Sequence, residues 1–272
     1  MKSSFLRRLI NAPYLLWSAI FIIVPLIIVA YYALTDESGN FTLSYILNIG
    51  EYKEVFIRSL VYAVIATLIT LVMSYPVAYY MSRSKVSTQK IMMLLVMLPM
   101  WMNLLIRTYS WTTILEKTGL INSFLGFFGI EPLKLIGTPG AVILGMIYNY
   151  IPYMILPIYT VMTKIDNSLL EAAEDLGSNG WAKLKRVILP LSLPGVISGI
   201  TMVFVPSVST FYISQKLGSP QTLMIGDIIQ KRFDALSYNT GAALSLIMMV
   251  VILISLAIMN RFTDDDDGGI II

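Results

Sequence analysis

The residues best placed to do chemistry lie in one polar stretch, 168–190, reading SLLEAAEDLGSNGWAKLKRVILP. Their types and spacing suit docking rather than bond-making. Ser168 and Glu171 stand three apart, the spacing of a capping box in which each side chain satisfies the other's free backbone N–H. Leu169, Ala172, Ala173 and Leu176 follow at i, i+3, i+4, i+7 and share one helical face. Glu171, Glu174 and Asp175 make the rest of that surface acidic. Gly177 comes where the helix must stop, and glycine adopts a left-handed C-terminal cap without strain. Ser178 or Asn179 can then cap a second helix with Trp181, Leu184 and Val187 on one side. Lys183, Lys185 and Arg186 lie toward its C-terminal end, where positive charge suits the helix dipole. Pro190 opens the next apolar run. The stretch predicts two short helices joined at a glycine, a rigid elbow with an apolar face and a charged rim.

Elsewhere the composition removes most catalytic chemistry. The chain has no Cys and no His, which excludes thiol nucleophiles, disulfides, Cys/His zinc sites and an imidazole base. No phosphate loop of the form G-x-x-x-x-G-K-S/T is present, so the chain is not expected to bind ATP itself. The spans contain no pair of carboxylates, which argues against a proton- or sodium-coupled transporter working alone. No basic stripe with interleaved aromatics points to nucleic acid.

The elements that position the elbow are membrane spans. Only 13% of the 272 residues are charged and 57% are hydrophobic, with a mean hydropathy of +0.76; about 25% charged is usual for a soluble domain. Six apolar runs are long enough, or nearly so, to cross a bilayer: 13–34, 59–81, 91–106, 139–162, 190–213 and 241–259. The first is longer than a signal-peptide core and is expected to be retained. Eleven of the nineteen Lys and Arg residues fall on the side of the N-terminus and the elbow, the 164–189 loop. That bias predicts cytoplasmic termini and a cytoplasmic elbow. Pro76, Pro99, Pro152, Pro157, Pro194 and Pro206 should kink or interrupt the spans. Gly195 and Gly199 form a small-xxx-small face for close helix packing. The outer stretch 107–138 carries apolar pieces that suit the membrane interface, and 219–238 reads as a short helix packed on the outer face. Arg107 reads as an outer-edge structural cation near Glu116. The 263–272 tail, with Asp264 to Asp267, reads as a solvated acidic tail and is assigned no role.

The elbow resembles the signature of the permease subunits of binding-protein-dependent ABC importers: EAA, three residues, Gly, nine residues, I-x-L-P. Glu171, Ala172, Ala173, Gly177, Leu189 and Pro190 fall at those spacings, with Val187 in place of isoleucine. In that family the loop is the coupling helix that docks in a groove of the ATPase. Further stretches resemble the first permease of spermidine/putrescine importers: PMWMNLLIRTY at 99–109, GLIN at 119–122, PYMILPIY at 152–159, and much of 218–245. Related iron and thiamine importers share parts of these. The resemblance implies an all-α polytopic membrane protein of six transmembrane helices with the type I ABC importer permease fold, in a bacterial plasma membrane. It implies a second homologous permease, an ATPase dimer carrying ATP and Mg, and an extracytoplasmic polyamine-binding protein, with no cofactor on this chain. The expected function is polyamine import. The alternatives are an importer of ferric iron or thiamine and a stand-alone secondary transporter or channel.

An aromatic-rich chain fits a cationic cargo, since an ammonium over an aromatic face gains about 0.5–2 kcal/mol. With 16 Tyr, 11 Phe and 4 Trp, the candidates are Trp101 and Trp111, flanking the outer end of the third span, and Tyr148, Tyr153, Phe211 and Tyr212 in the fourth and fifth. Tyr and Trp are also enriched at membrane interfaces whatever is transported, so anchoring competes with this reading.

Overall fold

The computed structural model describes residues 13, 14 and 16–267. Lys2, Arg7, Arg8 and residues 268–272 lie outside the described residues, as do the side chains of Asp264 to Asp267. The described chain is helical, and its one extended pairing is a bridge between Thr35 and Phe41. It divides into two compact units. One takes the chain up to Lys53 together with Ile228–Val251, and the other takes Glu54–Asp227 and the chain from Ile252 on.

In the first unit, α1 (Leu16–Leu34) carries a π turn over Ala19–Ile23. Ala33 is buried against Ala242 and Ala243, with Val29, Tyr45, Ile46 and Leu246 around them. Asn239 donates to the carbonyls of Tyr32 (3.1 Å) and Thr35 (2.6 Å), closing the free C-terminal end of α1.

The second unit holds the functional elements. α2 (Lys53–Arg83) and α3 (Val86–Trp101) are followed by α4 (Leu104–Leu115) and the short α5 (Leu120–Phe127). Then come α6 (Pro139–Met162), the elbow helices α7 (Asn167–Asp175) and α8 (Gly180–Lys183), and α9 (Leu189–Ser209). α10 (Tyr212–Leu217) follows, and α11 (Ile225–Asp234) and α12 (Tyr238–Asp267), which complete the described chain, each have residues in both units. Two buried hydroxyls in α2 are satisfied within their own helix: Thr67 donates to the Ala63 carbonyl at 2.7 Å and Thr70 to Ala66 at 2.6 Å. The spine is the α6–α9 pair. A Cβ built on Gly195 would lie 2.9 Å from the Pro157 carbonyl oxygen, and one on Gly199 would lie 2.7 Å from Met154 Sδ. The small-residue face therefore lets the two helices approach closely.

Two apolar clusters occupy the two ends of this unit. At the elbow end Ala78, Met81, Met154, Ile158, Met162 and Ile188 are buried together. At the far end Ala66, Leu115, Val142, Met146, Ile213 and Leu217 form the second cluster.

Several expected boundaries change. Among the described residues five helices are long and apolar enough to cross a membrane singly. The sixth crossing exists only if α3 and the 104–127 segment count together, and these meet at 91°. The expected third span, 91–106, thus runs through a break at Met102–Asn103. The expected fifth span, to 213, stops at Ser209, and α12 continues past 259 to Asp267. The second elbow helix is not separate either. A π turn over Leu184–Ile188 joins α8 to α9 without interruption. The cause is Pro190: it has no N–H to give to the carbonyl four residues back, and the widened turn accommodates the loss. Pro25 follows the π turn of α1 in the same way.

Candidate functional site: a capped elbow and an aromatic cluster at two helix breaks

The elbow begins two residues earlier than its spacing suggests. Asp166, not Ser168, is the N-cap of α7, its Oδ1 accepting the Ser168 N–H at 3.0 Å. The Ser168–Glu171 capping box is therefore not the start signal, because Ser168 already lies inside the helix. That backbone hydrogen bond, with a second from the Ser168 side chain, holds the Asp166 carboxyl below its usual pKa. At the other end Gly177 has φ of +79°. The Ser178 N–H reaches the Ala173 carbonyl at 3.0 Å and the Gly177 N–H reaches Glu174 at 2.8 Å. This is the paired bonding of a Schellman cap, which only a residue tolerant of positive φ completes cheaply. Asn179 caps α8, accepting the Ala182 N–H at 2.8 Å. An ion pair between Glu174 and Lys183 ties the two arms; at this exposure it adds at most about 1 kcal/mol.

Arg83, at the end of α2, fixes the elbow to the spans. Its Nη1 donates to Asn167 Oδ1 at 2.6 Å and to the Ile165 carbonyl at 3.4 Å, and Nη2 reaches the Met162 carbonyl at 3.4 Å. Leu170 and Leu184 turn inward onto the core cluster. The remaining apolar face looks outward and is uncovered: Leu169 is 48% exposed, Leu176 87% and Trp181 72%. Glu171, Ala172, Leu189 and Pro190 are exposed beside it and Ala173 is half-buried.

Two helices are interrupted near the aromatic candidates Trp101, Phe211 and Tyr212. Asn103 stops the α3 path and caps α4, its Oδ1 accepting the Leu105 N–H at 2.7 Å. α9 ends at Ser209 with Thr210 extended, and the chain resumes as α10 at Tyr212. Trp101 and Trp111, expected to flank one span end, therefore lie on different helices. Trp111 meets Tyr148 edge-to-face with centroids 5.4 Å apart. Tyr153 meets Tyr150 at 6.4 Å and lines a cavity of about 530 Å³ with Met100, Leu156, Gly195 and Met202. Tyr212 meets Tyr109 at 6.4 Å. Trp101 and Phe211 are exposed and make no ring contact among the described residues. The candidates thus form separate pairs, not one continuous stripe.

Four residues of this end were not anticipated in their present roles. Tyr109 is the ring partner of Tyr212, and Lys216 holds its ammonium over both; the signal was the i, i+4 spacing of Tyr212 and Lys216. Arg107 is only 6% exposed, and its Nε and Nη1 have no hydrogen-bond partner among the described residues. The expected neighbour Glu116 caps the far end of the same helix, about 13 Å along the axis at 1.5 Å per residue, so an outer-edge Arg107–Glu116 contact does not form. Asp227 is fully buried, its Oδ2 accepting the Met224 N–H at 2.6 Å where α11 begins. Beside it Ser59 Oγ accepts the Ile225 N–H at 2.8 Å.

Comparison with known proteins agrees with this architecture. Residues 49–265 match the family described as "Binding-protein-dependent transport system inner membrane component". The chain is 36% identical over 256 residues to the spermidine/putrescine transport system permease protein PotB of Haemophilus influenzae, covering 90% of each. It is 34% identical to PotB of Escherichia coli, covering 90% of this chain and 93% of that one. A crystal structure of a bacterial ABC transporter involved in import of the acidic polysaccharide alginate has a chain that superposes with a TM-score of 0.80. That match covers 97% of this chain and 96% of the other at 18% identity, so it speaks to the fold alone. With apolar helices of spanning length, a capped elbow between the two tightly packed helices α6 and α9, and a family match over most of its length, the chain belongs to the inner-membrane components of binding-protein-dependent transport systems.

Proposed function

We propose that this chain is one of two permeases of an ATP-driven polyamine importer, and that its elbow transmits the motion of a separate ATPase to the spans. The observation that carries the proposal is the elbow's uncovered apolar face. Leu169, Leu176 and Trp181 are held on a scaffold capped by Asp166, Gly177 and Asn179 and anchored by Arg83. Large exposed apolar side chains on a rigid polar rim mark a protein-docking surface. Glu171, Ala172, Ala173, Gly177, Leu189 and Pro190 are the residues assigned to it. ATP and Mg belong to the ATPase dimer, and this chain holds no cofactor of its own. The elbow and both termini face the cytoplasm, in line with the excess of Lys and Arg on that side.

Polyamines are favoured as cargo by the names of the relatives at 34–36% identity. The aromatic pairs at the helix breaks fit the same cargo. A polyamine is a chain of separated ammonium groups, and aromatic faces attract each weakly enough to let it move on. Trp101, Trp111, Tyr148, Tyr153, Phe211 and Tyr212 are assigned to that path, and an extracytoplasmic polyamine-binding protein delivers to it. The test is reconstitution with the partner permease, the ATPase and the binding protein. Spermidine or putrescine should stimulate ATP hydrolysis, whereas stimulation by ferric iron or thiamine alone would refute the cargo and leave the importer assignment standing. Failure of the ATPase to co-purify would refute the coupling role.

A further inference from the structure

The geometry points to a subsite for a primary alkylammonium between Tyr109 and Tyr212, occupied in this state by the chain's own Lys216. This rests on the polyamine reading and deepens it. The Lys216 Nζ lies 5.0 Å from the Tyr109 ring centroid and 5.8 Å from that of Tyr212, and the two rings are 73° apart in orientation. Two aromatic faces set at this angle and distance make a corner that suits one cationic head. Hydrogen bonding to the Tyr109 side chain also pushes the Lys216 pKa up, so the ammonium stays charged at neutral pH.

Three features distinguish this corner from an ordinary surface cation–π contact. First, the occupant has no carboxylate: the ion pair found among the described residues is Glu174–Lys183, at the elbow. A cation held by two rings and a tyrosine hydroxyl, with no carboxylate, is held weakly, and an equivalent cation can replace it. Second, the corner is built from α4 and α10, the two short helices that follow the breaks at Asn103 and Thr210. It sits among the aromatic pairs assigned to the path, and half of the Tyr109 surface is open at 51% exposure. Third, the occupant has the chemistry of the cargo. A lysine side chain is a butylammonium, which is the end of putrescine and the aminobutyl arm of spermidine. The corner that receives Lys216 is therefore matched to a terminal ammonium with a short alkyl stem. Lys216 fills it between transport events, keeps stray monovalent cations out, and yields to an incoming polyamine end.

The assembled importer tests this through Lys216→Cys, since this chain has no native cysteine to react. Putrescine should slow modification of the new thiol by a neutral methanethiosulfonate, compared with sodium at equal ionic strength. Adding Tyr109→Leu should abolish that protection. The half-stimulating concentration of putrescine-loaded binding protein should fall by about 2- to 30-fold in Lys216→Cys, the factor expected when a competing cation–π contact is removed. Modification with 2-aminoethyl methanethiosulfonate, which restores an ammonium, should raise it again, and the neutral reagent should not. Lys216→Met serves as a second variant and should show the same fall. No protection by putrescine, or a rise in the half-stimulating concentration in both Lys216 variants, would overturn the subsite while a polyamine-responsive wild-type complex keeps the parent reading intact. A wild-type complex that responds to no polyamine would overturn both.

Discussion

Gly177→Val isolates the backbone geometry of the elbow from its chemistry. No atom lies within 4 Å of a Cβ built at this position, so valine meets no steric wall there. What it meets is a φ of +79°, where an L-residue costs about 1–2 kcal/mol and a β-branched one stands at the upper end. If the chain escapes that strain by leaving the left-handed region, it loses the Gly177–Glu174 and Ser178–Ala173 bonds, each worth about 0.5–1.5 kcal/mol net. Either route disfavours the native elbow by roughly 2 kcal/mol. A partner that binds only the native shape would then see its competent fraction fall, and its apparent Kd rise by up to about 30-fold. The measurement is ATPase affinity for the permease pair in detergent or nanodiscs, with membrane insertion as the control. Gly177→Asn should lose much less, because asparagine tolerates positive φ. Equal ATPase affinity for the wild type and the Val variant would refute the idea that this cap shapes the docking face.

Three other outcomes follow from the geometry. Gly199→Val should lower the thermal stability of the complex by about 1–3 kcal/mol of overpacking, since the new side chain meets Met154 Sδ and backbone; Ser198→Val, on an exposed face next door, should cost little by the same assay. Ser168→Cys should react with an impermeant thiol reagent from the cytoplasmic side and Ser38→Cys only from outside, and the reverse pattern would overturn the proposed orientation. Asp166 has a folded pKa below the carboxylate value of 3.8, so its capping contribution is complete at neutral pH and is lost only as pH falls through the depressed value. Between neutrality and pH values above 3.8, protease resistance of the elbow should therefore change in parallel in wild type and Asp166→Asn, and any gap between them should narrow only at lower pH; a gap that closes within that window would contradict the assignment.

How far the sequence could be read depended on the range of the forces involved. The elbow was legible because its signals are local: a glycine that must adopt positive φ, an Asn179 that caps three residues ahead, and apolar residues at helical spacing. Even there Asp166 displaced Ser168 as the cap. Asp166, Asn167 and Ser168 are all competent caps, and burial of Ile165 together with the Arg83–Asn167 bond fixes which one the chain uses. The helix breaks were only partly legible: Pro99 and Pro206 marked their neighbourhood, but not where the chain would leave the helix. At Met102–Asn103 one polar residue in a long apolar run looks like a tolerated guest rather than a cap, and Ser207, Ser209 and Thr210 are small enough to sit within a span. The inward turn of Arg107 and Asp227 depends on those breaks, so their burial was hidden as well. The pairing of Tyr109 with Tyr212 joins residues about a hundred positions apart, and no spacing rule reaches that far.

The continuous run from α8 through the π turn into α9 has a mechanical consequence. Gly180–Ser209 is one 30-residue rod, about 45 Å long at 1.5 Å per residue. Its near end carries Trp181 of the proposed docking face, and its far end is the break at Thr210 beside the Tyr109–Tyr212 corner. Close contact with α6 at Gly195 and Gly199 puts a fulcrum near the middle. A joint between α8 and α9 would have absorbed motion of the elbow as local bending. A rod with a pivot passes it on, reversed in direction, and a tilt of about 6° displaces each end by roughly 2 Å. That is enough to open or close a ring-to-ammonium contact whose attraction fades within about 6 Å.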